Sequence, residues 1–360
     1  MKTLEQCIRA IPGVSSEALA RAQQRLDGLT KPVGSLGRLE ELARRIAAIS
    51  GKERPSLKNK LIITMAADHG VTAEGVSAYP AEVTPQMVFN FLRGGAAINV
   101  LARQAGASVL VVDMGVNKDF GGVEGLVHRK IGFGTANMAD GPAMTREQAI
   151  ASIEAGIALV EEQARKGLDI VGAGEMGIGN TTASAAITAV LLGLPVSKVT
   201  GRGTGIDDEA LGNKIRIIEK ALAVNKPDPR DPLDVLAKVG GFEIGGIAGV
   251  LLGAARRGIP VLLDGFNSGA AALIAARLAP AAVDAMIASH RSVEQGHKHI
   301  LDALGLKPLL DLDLRLGEGT GAALAMPLAD AAAAIFNEMA TFASAGVSEK
   351  QEHVRSAIAE

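Results

Sequence analysis

Two glutamates in this chain are framed by glycines. Glu175 sits in Gly172-Ala-Gly-Glu-Met-Gly-Ile-Gly-Asn-Thr-Thr182, and Glu318 in Leu314-Arg-Leu-Gly-Glu-Gly-Thr-Gly321. Desolvation raises the pKa of a carboxyl that has little other polarity around it, which suits general acid–base work. Two such segments suggest two carboxylates aimed into a common space. The bland alternative for Glu318 is a loop residue that meets Arg315 or solvent.

The Glu175 segment carries a second message. Residues 172–177 match G-x-G-x-x-G and read as a loop that follows a strand and opens a helix. There, main-chain N–H groups approach an anion closely and the helix N-terminus adds a partial positive charge. Gly177, Gly179, Asn180, Thr181 and Thr182 are the expected anion-binding residues. A dinucleotide site is the competing reading. It would need an acidic residue about 20 positions on. The chain offers Ser197-Lys-Val-Thr200 there, with no acid until Asp207. Glu175 would also repel a pyrophosphate, so it makes more sense facing a cationic or proton-donating group. A third glycine-rich stretch, Thr200-Gly-Arg-Gly-Thr-Gly-Ile-Asp207, is followed by Lys214. Gly203 and Lys214 would suit a phosphate monoester; the alternative is a surface loop with solvated charges.

Other chemistries find less support. His297 and His299, at i and i+2, do not share a helix face, and no acid completes a metal-ligand set with them and His290. They are expected on a solvated helix surface, and no metal site is expected. His69 reads as a hydrogen-bonded strand-end residue. A Ser–His–Asp hydrolase lacks its G-x-S-x-G elbow. Cys7 is the only cysteine, which excludes an intramolecular disulfide and suits a reducing compartment. The formal net charge is −2, and Tyr79 is the only tyrosine in a chain without tryptophan. Neither a basic face nor a stacking platform for nucleic acid is implied. No signal-peptide h-region and no uncharged apolar run of about 18 residues is visible. The expectation is a cytoplasmic protein with neither nucleic-acid nor membrane partners.

The elements that must position these residues show in the apolar runs. The chain has 360 residues, 48% of them apolar and 21% charged, enough for a sizeable core. Its 43 glycines exceed the about 25 expected for this length, and they cluster after short apolar runs. Residues 61–67, 108–112, 168–171 and 260–263 are nearly continuously apolar, as strands buried on both faces are. Between them lie helical stretches at 96–104, 145–166, 182–192 and 244–257. This alternation predicts an α/β fold, a doubly wound and mostly parallel sheet. Asp68, Asp113 and Asp264-Gly265 each follow such a run. They are candidates for the rim of the ligand crevice, or else caps of the next turn. Amphipathic helices at 16–29 and 36–49, with an Ala-rich helix at 322–343, predict a smaller helical domain built from the chain ends. The expected division is 1–50 and 322–360 for that lobe and 51–321 for the α/β domain.

Six separate motifs then agree in order. Ser35-Leu-Gly-Arg-Leu-Glu40, Ala67-Asp-His-Gly70, Gly174-Glu-Met-Gly-Ile-Gly-Asn-Thr-Thr182, Lys238-Val-Gly-Gly-Phe242, Val261-Leu-Leu-Asp-Gly-Phe266 and Arg315-Leu-Gly-Glu-Gly-Thr-Gly-Ala322 resemble the nicotinate-nucleotide–dimethylbenzimidazole phosphoribosyltransferase family from about residue 10 to 340. The resemblance implies a homodimer that moves the phosphoribosyl group of nicotinate mononucleotide to a benzimidazole-type base without a cofactor. The product, α-ribazole 5′-phosphate, supplies the lower-ligand nucleotide of cobalamin. It implies that Glu318 is the general base and that Glu175 belongs to the active site. The pyridinium ring of the donor is a cationic group of the kind Glu175 would face. Asp264 and Gly265 join the expected nucleotide-binding residues. Tyr79, Gln86 and Leu316 are the expected base contacts.

Overall fold

The computed structural model describes residues 2–348; residues 349–360 of the expected helical lobe lie outside the described residues. Helices α1 (Lys2–Arg9), α2 (Ser16–Asp27) and α3 (Arg38–Ser50) come first, followed by strand β1 (Lys60–Ala67). Helices α4 (Val83–Leu92) and α5 (Ala97–Gln104) lead to β2 (Ser108–Gly115) and β3 (Leu126–His128). Helix α6 (Arg146–Ala164) crosses to β4 (Ile170–Met176), which runs into α7 (Asn180–Leu192) and the short α8 (Val196–Val199). Then come α9 (Asp208–Asn225), α10 (Pro232–Val239) and α11 (Phe242–Arg257), before β5 (Val261–Leu263). The described residues continue through α12 (Phe266–Leu278), β6 (Met286–Ala288), α13 (Gln295–Leu304), α14 (Thr320–Glu338) and α15 (Phe342–Ala345).

The six strands form one sheet in the order β3-β2-β1-β4-β5-β6, and all five pairings are parallel. The order reverses at the β1–β4 boundary, so a crevice opens there beyond the carboxyl ends of the strands. Both faces of the sheet are covered, which is why the strands lack polar alternation. Ile62 and Gly172 face Ala322 at the start of α14, whereas Met65 reaches Gly246 of α11 on the other side. Helix α11 lies so close against α6 that a side chain at Gly156 would collide with the Gly246 carbonyl. The chain ends are stitched by main-chain bonds: Thr30 N to Ala340 O at 3.0 Å and Phe342 N to Gly28 O at 3.0 Å. Helix α3 packs against α14, which also lies on β1, β4 and β5.

Candidate active site

A cavity of about 650 Å³ opens beyond the carboxyl ends of the strands, and both framed glutamates line it. Glu175 is the penultimate residue of β4, not part of a loop. Glycines 172 and 174 lie inside the strand, which corrects the anion-loop reading. Their missing side chains make room for another segment. A Cβ at Gly172 would press on Ala322, and one at Gly174 would collide with the Glu318 carbonyl. The G-x-G half of the motif therefore seats the Glu318 loop on the sheet and leaves no cradle for a pyrophosphate.

Glu318 is buried at 5% exposure. Its φ of 64° is left-handed, between Gly317 and Gly319, which also have positive φ. Ile98 N, in the first turn of α5, donates to its Oε2 at 3.1 Å. Burial raises the Glu318 pKa, and this one N–H opposes the shift. Glu175 receives the Asn180 side-chain amide. Asn267 turns its oxygen to the Ser184 hydroxyl at 2.7 Å, which leaves its NH2 for Glu175. Burial pushes Glu175 up to about 8 despite that amide, with help from the negative charges of Asp264, Glu243 and Glu318. Two buried carboxyls this close do not ionise as independent groups, because each negative charge disfavours the other.

The anion corner lies at the start of α7. Gly177, Asn180, Thr181 and Gly203 line the cavity. Gly179, with φ 92°, is the N-cap of α7, and Thr182 is fully buried behind it. Lys214 does not belong to a surface loop. It is 1% exposed on α9, and its Nζ donates to Thr181 Oγ1 at 2.7 Å. Burial lowers its pKa to about 8, against the pull of Glu294. Glu294 Oε1 accepts the Gly203 N–H at 2.9 Å, and Arg315 donates to the Gly203 carbonyl at 2.8 Å. Gly265 lines the same wall.

Tyr79 and Leu316 line the mouth and are 54% and 58% exposed. Thr204 Oγ1 accepts Ala78 N–H at 3.1 Å, tying the Tyr79 loop to the Gly203 loop. Gln86 is exposed on α4 and does not line the cavity. Its helix sends Val83 and Met87 there instead.

The three strand-end aspartates are not on the crevice rim. Each is buried and turned onto the main chain of a neighbouring loop. Asp68 takes Asn117 N at 2.7 Å, Asp113 takes Val116 N at 3.0 Å, and Asp264 takes Gly319 N at 3.1 Å. The histidines are also corrected: His290 and His297 are buried at 2% and 1%, and His290 lines the cavity. His297 Nδ1 accepts Ser292 N–H at 2.9 Å, which puts the proton of the neutral ring on Nε2. Burial and the neighbouring His290 lower its pKa to about 3. His69 makes a buried 2.6 Å contact with Glu243. Burial opposes its charge, but that carboxylate outweighs burial and raises its pKa. Asn267, Ser292, Glu294 and His290 also line the cavity; the sequence had pointed to His290 only as a surface residue and to Asn267 only as the neighbour of the Asp-Gly-Phe motif, and to the other two not at all. Among the described residues no group of three potential metal ligands comes together, and no helix is long and apolar enough to cross a membrane.

Fold and site together define a doubly wound α/β enzyme whose cavity pairs two buried carboxyls with an anion corner. Residues 11–347 match the phosphoribosyltransferase family model, and the chain belongs to that family. It is 62% identical over 352 residues to the nicotinate-nucleotide–dimethylbenzimidazole phosphoribosyltransferase of Chloroflexus aggregans, covering 98% of this chain and 100% of that one. The enzyme of the same name from Geobacter sulfurreducens is 60% identical, covering 97% and 99%. The solved structure of the so-named enzyme from Thermus thermophilus superposes with a TM-score of 0.88 at 51% identity, covering 93% of this chain and 100% of that chain.

Proposed function

We propose that this enzyme transfers the phosphoribosyl group of nicotinate mononucleotide to 5,6-dimethylbenzimidazole or a related base. The products are α-ribazole 5′-phosphate and nicotinate, on the route to the lower ligand of cobalamin. The observation that carries this reading is the pair of unlike carboxyls. Glu318 has one oxygen held by Ile98 N–H. Glu175 is pushed up to about 8 and stays protonated at neutral pH. A neutral Glu175 spares Glu318 a second negative charge in the cavity, where two anions would repel each other.

In the reaction the bond from the ribose anomeric carbon to the pyridinium nitrogen breaks. Its electron pair neutralises the ring, so nicotinate leaves without help from a metal. A benzimidazole nitrogen attacks the opposite face, turning a β-linked donor into an α-linked product. Positive charge builds on the acceptor, and Glu318 takes the proton from its other ring nitrogen. Thr181 and the α7 N-terminus hold the phosphate, Lys214 supplies charge from behind Thr181, and Gly177, Gly179, Asn180, Thr182, Gly203 and Gly265 shape that side. Tyr79 and Leu316 flank the base. A nicotinamide-dependent dehydrogenase shares this strand order, but it would need the glycines that β4 uses for packing. We read the enzyme as a cytoplasmic homodimer without nucleic-acid or membrane partners, with the described parts of the two chain ends, residues 2–50 and 322–348, as its small helical lobe. Nicotinate release tested against a panel of benzimidazoles and purines decides the function. Release that depends on a benzimidazole is expected; release indifferent to the acceptor would refute the transfer.

A further inference from the structure

Glu318 adopts a backbone conformation that glutamate rarely takes, so something else must enforce it. The enforcing contacts come from three strands. Asp264, just past β5, gathers three main-chain N–H groups: Gly319 onto Oδ2 at 3.1 Å, and Gly321 and Ala322 onto Oδ1 at 2.6 and 3.3 Å. Thr64 of β1 donates its hydroxyl to the Glu318 carbonyl at 2.9 Å. Glu318 N donates to the Glu175 carbonyl of β4 at 3.1 Å. Asp264 and Thr64 are 1% and 0% exposed, so water cannot replace either contact. Neither side chain lines the cavity.

We propose that Asp264 is a positioning residue for the general base: with Thr64 it fixes the main chain that follows Glu318, as the Glu175 carbonyl fixes the amide before it, and so aims the carboxyl at the acceptor nitrogen. This rests on the reading of Glu318 as the base. Both oxygens of Asp264 accept, the pattern a carboxylate satisfies best; burial raises its pKa to about 7, and the three N–H groups oppose that shift. Asparagine would turn an NH2 toward at least one main-chain N–H. The left-handed turn would then relax, and the Glu318 carboxyl would move with it. Misplacement by about 1 Å costs on the order of 10²-fold in rate.

The test is a set of double-mutant cycles: Asp264→Asn and Thr64→Val, each in the parent and in Glu318→Gln, with kcat and both Michaelis constants measured. The proposal expects Asp264→Asn to lower kcat by on the order of 10²-fold, with the nucleotide KM within about twofold. Thr64→Val should act in the same direction, less strongly. In the Glu318→Gln background both substitutions should change kcat by less than about twofold, because the group they aim is gone. Multiplying losses in that background, or a rise confined to the nucleotide KM, would overturn the proposal. Should Asp264→Asn fail to fold by circular dichroism, the Thr64→Val cycle decides alone. Normal turnover in Glu318→Gln itself would instead remove the general-base reading on which the proposal stands.

Discussion

The two framed glutamates look alike in the sequence and are built differently. Glu175 projects from a strand, is ringed by side-chain amides, and is raised to about 8. Glu318 sits in a left-handed turn before a helix and is oriented by a main-chain N–H. Their glycines differ too. Gly172 and Gly174 are empty space for a neighbour, whereas Gly317 and Gly319 supply positive φ, and a Cβ at Gly317 would strike Glu175. The same residue type serves packing in one segment and backbone freedom in the other.

The largest expected effect separates the two glutamates. Glu318→Gln keeps the turn but removes the proton acceptor, so kcat should fall by about 10²–10⁴-fold, with nucleotide binding nearly unchanged. Steady-state kinetics on both substrates checks this, and a fall under threefold would end the contrast. Next comes the anion corner. Lys214→Ala removes a charged donor whose hydrogen bonds are worth about 1.5–3 kcal/mol, so nicotinate mononucleotide should bind about ten- to a hundredfold more weakly. Base affinity should hold in an equilibrium titration; loss of base affinity alone would move the phosphate elsewhere. Because burial lowers Lys214 to about 8, the nucleotide KM of the parent should also climb as pH rises past that value.

Tyr79→Ala should raise the benzimidazole KM by about three- to tenfold and reorder a panel of substituted bases. Identical kinetics across the panel would take Tyr79 out of the pocket. The smallest effect belongs to Glu175→Gln. At pH 7 glutamine mimics the protonated carboxyl, so kcat should stay within about threefold of the parent. The difference emerges with pH. Glu175 has a folded pKa above its ordinary 4.5, so the folded state binds the extra proton. That stabilisation is complete below about 4.5 and is lost as pH rises toward about 8. The parent's melting temperature should decline across that window relative to Glu175→Gln, and parallel curves would place the raised pKa elsewhere.

Much of this was legible in the residues, for reasons that can be named. Strands β1, β2, β4 and β5 announced themselves as apolar runs, because burial on both faces leaves no room for polar alternation. Strands β3 and β6 have three residues each, too few for any period to show. Glu175, Glu318, Tyr79, Leu316 and the start of α7 all meet at one cavity. The aspartates misled because a strand-end carboxylate serves a loop amide as readily as a ligand, and the amide's owner can lie far along the chain. His297 misled because its partner is a main-chain N–H, which has no letter in the sequence. Gln86 missed the cavity by one helical position, beside Met87.

The seating of Glu318 on β4 has a consequence for the order in which the enzyme comes to life. Thr64 and Glu318, joined by a hydrogen bond, are 254 positions apart. A nascent chain can complete the sheet order through β6, together with α7 and Lys214, before the base has left the ribosome. The last long helix of the described residues then closes over β1, β4 and β5 and brings Leu316 and the proton acceptor to the pocket together. Incomplete translation products that stop short of Glu318 would lack the base and the cover of that sheet face alike.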